Sequence, residues 1–401
     1  MVMRSLATVL LFVAVTFLCW GVYGPVLHEG QLEMDRSSLR PIICVGIAYF
    51  LIAVVVPLIV IRVKGEVGNW TASGAVWSFA AGAAGAVGAL GIVLAFKSRG
   101  SPLYVMPLVF GLAPVVNTFV TMWMTRTFKQ AGLVFFAGMI VVAVGAAGVL
   151  IFKPTLSNVI VTEAEDGSIT VVETKLVDGA RQTKTWQARD ESQLENDEKL
   201  ASANRLYQRW RKLSFGERTM IALSIALTAL CWGSYGPVLH KGQMKMGGSR
   251  LRPFLCVGLA YFAIAVVVPL VVLNSAGERG QWNLGGTVWS LAAGAAGAIG
   301  ALGIVMAFNF GGRPIYVMPL VFGGAPVVNT FTTILHEGTF AQVTPRFYVS
   351  LLMVILGAVT VLIFAPKPGK KPAPAEPPPQ PLIEEAQPSP ESSEPPAEKS
   401  P

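Results

Sequence analysis

The sequence predicts an all-α integral membrane protein of ten transmembrane helices, arranged as two inverted five-helix repeats with a small polar insert between them and a disordered C-terminal tail. Three observations predict it. Only 13% of the 401 residues are charged while 53% are hydrophobic, and mean hydropathy is +0.57; a soluble chain carries about 25% charged residues. Ten apolar stretches reach the roughly 20 residues that a helix needs to cross hydrocarbon. The second half of the chain repeats the first at an offset of 212 residues.

The stretches run over about 6–27, 41–62, 74–96, 103–125 and 131–152, then 218–240, 253–274, 286–308, 314–335 and 346–365. They are too long for strands and too apolar for a helix with one wet face. Lipid offers no hydrogen bonds, so the backbone must bond to itself, and helices do this within one segment. Residues 6–27 have the basic, apolar and small-residue order of a signal peptide. The partner stretch lies deep inside the chain, where no cleavage site is expected, so 6–27 is read as a retained span.

The repeat is gapless from Leu18 to Phe152. CWGVYGPVLHEGQ (19–31) pairs with CWGSYGPVLHKGQ (231–243), AAGAAGAVGALGIV (80–93) with AAGAAGAIGALGIV (292–305), and YVMPLVFGLAPVVNTF (104–119) with YVMPLVFGGAPVVNTF (316–331). Five spans per copy is an odd number, so the second copy enters the membrane from the opposite side. Such inverted repeats suit alternating access around a midplane site. The domain plan is 1–153 and 218–365 for the repeats, 154–217 for the insert and 366–401 for the tail. Basic residues at the span ends divide thirteen to twelve between the two sides, so the positive-inside rule assigns no orientation.

The net charge of +8 comes from Lys and Arg at span ends, with no basic face interleaved with stacking aromatics, so nucleic acid is not an expected partner. The four cysteines, Cys19, Cys44, Cys231 and Cys256, fall inside spans and read as small buried hydrophobes; their spacing fits neither a disulfide framework nor a metal site. No cofactor and no metal are expected.

In the insert, NVIVTEA (158–164) and SITVVETK (168–175) alternate around Glu165-Asp166-Gly167, and a second Asp-Gly follows at 178–179. Asp-Gly between alternating segments is a hairpin signal, which predicts a small β-meander. ESQLENDEKLASANRLYQRWRKL (191–213) reads as one helix with an acidic start and a basic end, matching the helix dipole. Its Trp210 and basic cluster are expected on the bilayer surface. The tail is rich in Pro, Glu, Ser and Lys and cannot bury a core. Its PAPAEPPPQP (372–381) fits an SH3-like partner or a solvated tail.

Candidate substrate-binding residues come from two pairs of spans. In the fourth, Tyr104, Pro107, Gly111, Pro114 and Thr118 form one stripe with Asn117 beside it; the ninth repeats this with Tyr316, Pro319, Gly323, Pro326, Asn329 and Thr330. Each proline removes a backbone donor and frees a carbonyl about one turn back, which lipid cannot satisfy. Pro107, Pro114, Pro319 and Pro326 are therefore candidate kink or gating points, and helices broken at matching places in two halves point to a transporter site. Ordinary kinks in packed helices are the competing reading. The first and sixth spans end in Trp20, Tyr23 and His28, and in Trp232, Tyr235 and His240: aromatic walls with polar ends, or an interfacial belt. Gly82, Gly85 and Gly88, with Gly294, Gly297 and Gly300, read as close helix packing. No Asp, Glu, Lys or Arg lies in the middle of a span, and no HExxH, GxSxG or phosphate-binding loop occurs, so no enzyme is expected.

These features resemble the drug/metabolite transporter superfamily in its EamA-like ten-helix form. The matching residues are Trp20-Gly21, Trp232-Gly233, Pro114, Pro326 and His336-Glu337-Gly338; Thr125 stands where the first half would repeat the glutamate. The Trp-Gly-x-Tyr-Gly-Pro opening is most similar to the sugar-uptake branch. The resemblance covers about 1–152 and 218–365 and implies a multi-pass protein of the cell (inner) membrane with cytoplasmic termini. The expected function is secondary transport of a small polar metabolite, sugar-like or amino-acid-like. The rival readings are a non-transporting membrane scaffold or sensor acting through linker and tail, and a lipid or amphiphile exporter. Expected partners are membrane lipid and the small-molecule substrate; a protein partner for the linker or tail, and a homodimer, stay open.

Overall fold

The structure, a computed structural model, describes residues 2–152, 159–177, 180–275, 277–278, 280–310, 314–338, 340 and 343–364. The proline-rich tail and the second Asp-Gly lie outside them, as do the side chains of Trp210, Tyr316 and Pro319.

The first half holds α1 (Val2–Glu33), α2 (Leu39–Phe50), α3 (Val56–Lys64), α4 (Ala72–Lys97), α5 (Pro102–Thr125) and α6 (Leu133–Ile151). After the insert come α9 (Phe215–Lys245), α10 (Leu251–Tyr261), α11 (Val268–Ser275), α12 (Leu284–Asn309), α13 (Pro314–Glu337) and α14 (Pro345–Ile363). Among the described residues, nine helical segments are long and apolar enough to cross a membrane, counting α2–α3 and α10–α11 as one each. The chain is thus multi-pass. α13 is a further helix of 24 residues.

Short polar residues punctuate the apolar runs. Thr71, Ser101 and Thr344 each accept a bond from a backbone N–H in the first turn of α4, α5 and α14. Ser214 and Glu217 form a capping box at the start of α9. Each satisfies a donor that the helix cannot bond itself. The first and sixth helices outrun their expected ends at 27 and 240. They pass through Pro25 and Pro237 without a break and stop where Asp35, Arg36, Gly247 and Gly248 turn left-handed. Two π-turns, Leu51–Val55 and Phe262–Val267, precede Pro57 and Pro269. A proline offers no N–H to the preceding turn and its ring needs room there, which a wider turn supplies.

The tightest helix pairs each join one half to the other: α4 with α9, α1 with α12, α6 with α14, α1 with α13 and α5 with α9, followed by α2 with α12 and α10 with α4. The halves interleave instead of standing side by side. Glycine makes this approach feasible. A Cβ on Gly82 would meet Val257, one on Gly85 the Tyr261 ring, and one on Gly88 the Trp232 indole at 2.3 Å; Gly294, Gly297 and Gly300 face Val45, Tyr49 and Trp20 likewise.

In the insert, β1 (Val159–Glu163), β2 (Ile169–Val177) and β3 (Ala180–Ala188) form an antiparallel meander in that order. The first turn has Gly167 at φ +84 and Asp166 Oδ1 accepting from Ser168 N at 3.0 Å. Val159, Val161, Ile169 and Val171 bury one face against Leu194, Ala203 and Tyr207. The single helix expected over 191–213 is instead three pieces: α7 (Glu191–Asn196), a 3-10 turn (Glu198–Leu200) and α8 (Ala201–Trp210). Asp197 breaks it with an extended backbone, its carboxylate accepting from Lys199 N at 2.9 Å. An aspartate that can bond the backbone locally competes with the helix. Arg211, which follows α8, pairs with Glu191 at 3.0 Å and Glu217 at 3.4 Å.

Candidate functional site

The interleaved helices bring matched residues of both halves to one central cluster. Tyr49 on α2 and Tyr261 on α10 stack with ring centroids 3.8 Å apart and planes 2° apart. Tyr23 meets the Trp232 indole edge-on at 6.1 Å. Phe110 flanks Trp232 at 6.2 Å, and Phe322 flanks Trp20 at 6.5 Å. Trp20 Nε1 donates to Gly297 O at 3.2 Å, and Trp232 Nε1 donates to Gly85 O at 3.1 Å. Thr16 Oγ1 donates to Gly300 O at 3.1 Å, and Thr228 Oγ1 to Gly88 O at 3.0 Å. Every one of these bonds crosses between halves, and each pair differs by 212. The indole donors are therefore consumed by helix packing. The Tyr23 hydroxyl is buried with no hydrogen-bond partner.

Helices α5 and α13 carry the candidate amides. Asn329 is fully buried; its Nδ2 donates to Pro102 O at 2.8 Å, while its Oδ1 has no partner. Asn117, its counterpart, is half-buried and lies beside Gly236. Thr118 donates back to Pro114 O at 2.9 Å, and the buried Thr330 hydroxyl has no partner. Tyr104 is buried near the start of α5. Pro107 and Pro114 sit inside an unbroken α5, and Pro326 inside α13. The histidines are not at the centre. His28 packs edge-on to Phe96 at 4.9 Å toward one end of the bundle, and His240 is exposed toward the other.

Tyr49 and Tyr261 were not among the sequence candidates. Their signal was the matched Gly-x-Ala-Tyr-Phe at 46–50 and 258–262.

The two ends of the bundle carry reciprocal carboxylates. Glu278, in the loop before α12, accepts from Ser37 Oγ at 2.6 Å, Ser38 N at 2.8 Å and Leu39 N at 3.0 Å, holding the start of α2. Glu66 does the same for α10, accepting from Ser249 Oγ at 2.6 Å and from Arg250 N and Leu251 N at 2.8 Å each. An anion at a helix N-terminus satisfies orphan donors and the dipole together. Burial pushes the Glu278 carboxyl upward, but the bonds from Ser37, Ser38, Leu39 and Lys97 outweigh it and hold the group at about 2.

At the Glu278 end, α1 is closed over. Gln31 Nε2 donates to Val93 O at 3.0 Å, Glu29 pairs with His336 at 3.0 Å, and Lys97 pairs with Glu278 at 3.0 Å. The matching stretch of α9 at the Glu66 end is looser. Tyr23, Leu27 and Gln31 are 4%, 0% and 1% exposed, whereas Tyr235, Leu239 and Gln243 are only half-buried.

No family model matches the chain, and no curated protein is significantly similar to it.

Proposed function

We propose that the protein is a secondary transporter that carries a small polar metabolite by alternating access of two inverted five-helix halves. In this reading α13 is a tenth span and the central aromatic cluster lies near the bilayer midplane. The unequal burial of equal residues carries the reading. Nearly the same sequence, 19–31 and 231–243, sits in a closed environment at one end and an open one at the other. A repeat pair in two environments supplies both end states of one rocking cycle. Exchanging them closes one end and opens the other around a fixed site.

The resemblance to EamA-like drug/metabolite transporters supports the same reading, as do the matched Pro and Gly of α5 and α13. In the site, Trp20, Trp232, Tyr23 and Tyr235 form aromatic walls. Asn117, Asn329, Thr118 and Thr330 offer hydrogen bonds, and the bare Asn329 Oδ1 and Tyr23 hydroxyl are the groups a polar ligand would satisfy. An unpaired buried polar group is costly in a low-dielectric interior, so a ligand that bonds it gains affinity.

The test is a thermal-shift screen of the detergent-purified protein against sugars, amino acids, nucleosides and amphiphiles, followed by uptake of any hit into proteoliposomes. A ligand at 100 times its Kd adds about 2.7 kcal/mol of stability. A shift from one class, with uptake lost in Asn117→Ala/Asn329→Ala, supports transport. Binding and uptake unchanged in that double variant would remove these residues from the site. A shift without uptake would favour a sensor.

A further inference from the structure

We propose that the domain inserted between the halves is a lock on the gate at the Glu278 end, and that Arg99 is its bolt. The inference rests on the alternating-access reading. Arg99 lies in the four-residue connection 98–101 between α4 and α5. Its Nη2 donates to Gln208 O and, at 2.8 Å, to Arg211 O, the carbonyls left open at the end of α8. Its Nη1 pairs with Glu217 at 3.1 Å, the capping-box residue of α9. One side chain, 8% exposed, thus ties the insert, the sixth span and the α4–α5 connection together.

That connection is where the gate closes. Val93 O, which accepts from Gln31, and Phe96, which meets His28, lie just before it. Lys97, paired with Glu278, adjoins it. Pro102 O, just after it, accepts from Asn329. For α1 and α13 to part from α4 and α5 at this end, the connection must shift, and Arg99 anchors it to the insert.

Two further observations point the same way. Arg99 has φ +70, a left-handed conformation that favours glycine, and the residue 212 positions on is Gly311. The matching position of the second half thus carries a residue with no guanidinium. The bias assigned to Arg99 acts at the end that is closed in the structure.

The test reads accessibility and needs no substrate. Thr333, buried on α13 at the gated end, and its counterpart Thr121, half-buried on α5, are changed singly to Cys after the four natural cysteines are replaced by Ala. Labelling by a hydrophilic maleimide is followed in permeabilised membranes, so that the reagent meets both faces. Arg99→Gly relieves the backbone and removes the bolt. The expected result is a rise of about tenfold in labelling at Thr333→Cys, equivalent to ~1.4 kcal/mol of lost bias, with a fall at Thr121→Cys. Unchanged labelling at both sites overturns the lock. A rise at Thr333→Cys without a fall at Thr121→Cys overturns it too, since that is local loosening. If Arg99→Gly does not accumulate, Arg99→Gln is read in the same way; failure of both would make Arg99 a folding staple and overturn the lock. Substrate uptake by the parent protein would leave the transport reading standing in any of these cases.

Discussion

Tyr49 and Tyr261 stack face to face, centroids 3.8 Å apart, at the point where the second helix of one half meets the second helix of the other. Gly297 and Gly85 pack against these two rings. Aromatic pairs are worth about 0.5–1.5 kcal/mol beyond the area they bury. Tyr49→Ala should lower the thermal midpoint in detergent clearly more than Tyr49→Phe, which keeps the ring. Equal loss in the two variants would place the value of Tyr49 in its hydroxyl.

Gly88 should not tolerate a side chain. A Cβ there would lie 2.3 Å from the Trp232 indole, and one on Gly300 equally close to Trp20. Overpacking of this kind costs about 1–3 kcal/mol. Gly88→Ala and Gly300→Ala should each reduce the yield of folded, monodisperse protein on size-exclusion chromatography. Wild-type yield from either would mean that the helices can separate at no cost.

The indole bonds of Trp20 and Trp232 are equivalent, so Trp20→Phe and Trp232→Phe should destabilise equally, each by at least the roughly 0.5–1.5 kcal/mol of one hydrogen bond together with the ring volume lost against Gly300 and Gly88. Thermal unfolding followed by near-UV circular dichroism checks this. A large effect from one and none from the other would contradict the matched geometry.

Glu278 gives a signed pH dependence. Its carboxyl is held at about 2, below the ordinary value of 4.5. The stabilisation is therefore complete above that ordinary value and is lost as pH falls through about 2. Glu278→Gln should cost on the order of 3 kcal/mol at neutral pH, and the gap to the parent should narrow in acid. A gap that stayed constant from pH 7 to pH 3 would point to a purely steric role, because the charged-form stabilisation already fades below 4.5 and is gone near pH 2.

Asn329 and Asn117 should separate in stability while acting together in transport. Asn329→Ala removes a buried bond to Pro102 O, which costs about 1 kcal/mol. Asn117→Ala, at a half-buried position, should cost less. Reversal of that order in a thermal-melt comparison would contradict the burial seen in the structure.

Much of this was legible one residue at a time. Apolar runs such as 74–96 and 131–152 announce α4 and α6 because lipid imposes length and polarity locally. Asp166-Gly167 announced the first hairpin because the turn chemistry is local too. The break at Asp197 was missed, because a good overall helix pattern concealed one carboxylate that bonds its own backbone better. The aromatic candidates Trp20 and Trp232 were visible, but not that their N–H groups are spent on Gly297 and Gly85. Tyr49 and Tyr261 were overlooked because nothing in their own spans shows what faces them.

By itself, then, the sequence determined that the chain is helical, that it is apolar enough for a membrane, and that its second half repeats its first at 212 residues. These properties follow from backbone chemistry and from composition within single segments. Only the tertiary structure decided which helices pair, that Glu66 and Glu278 each hold a helix of the opposite half, and that 19–31 is shut where 231–243 is open. These depend on contacts between residues about 60 to 310 positions apart in the chain. The two segments differ only at Val22/Ser234 and Glu29/Lys241, and of these Glu29 makes a contact at the closed end, pairing with His336.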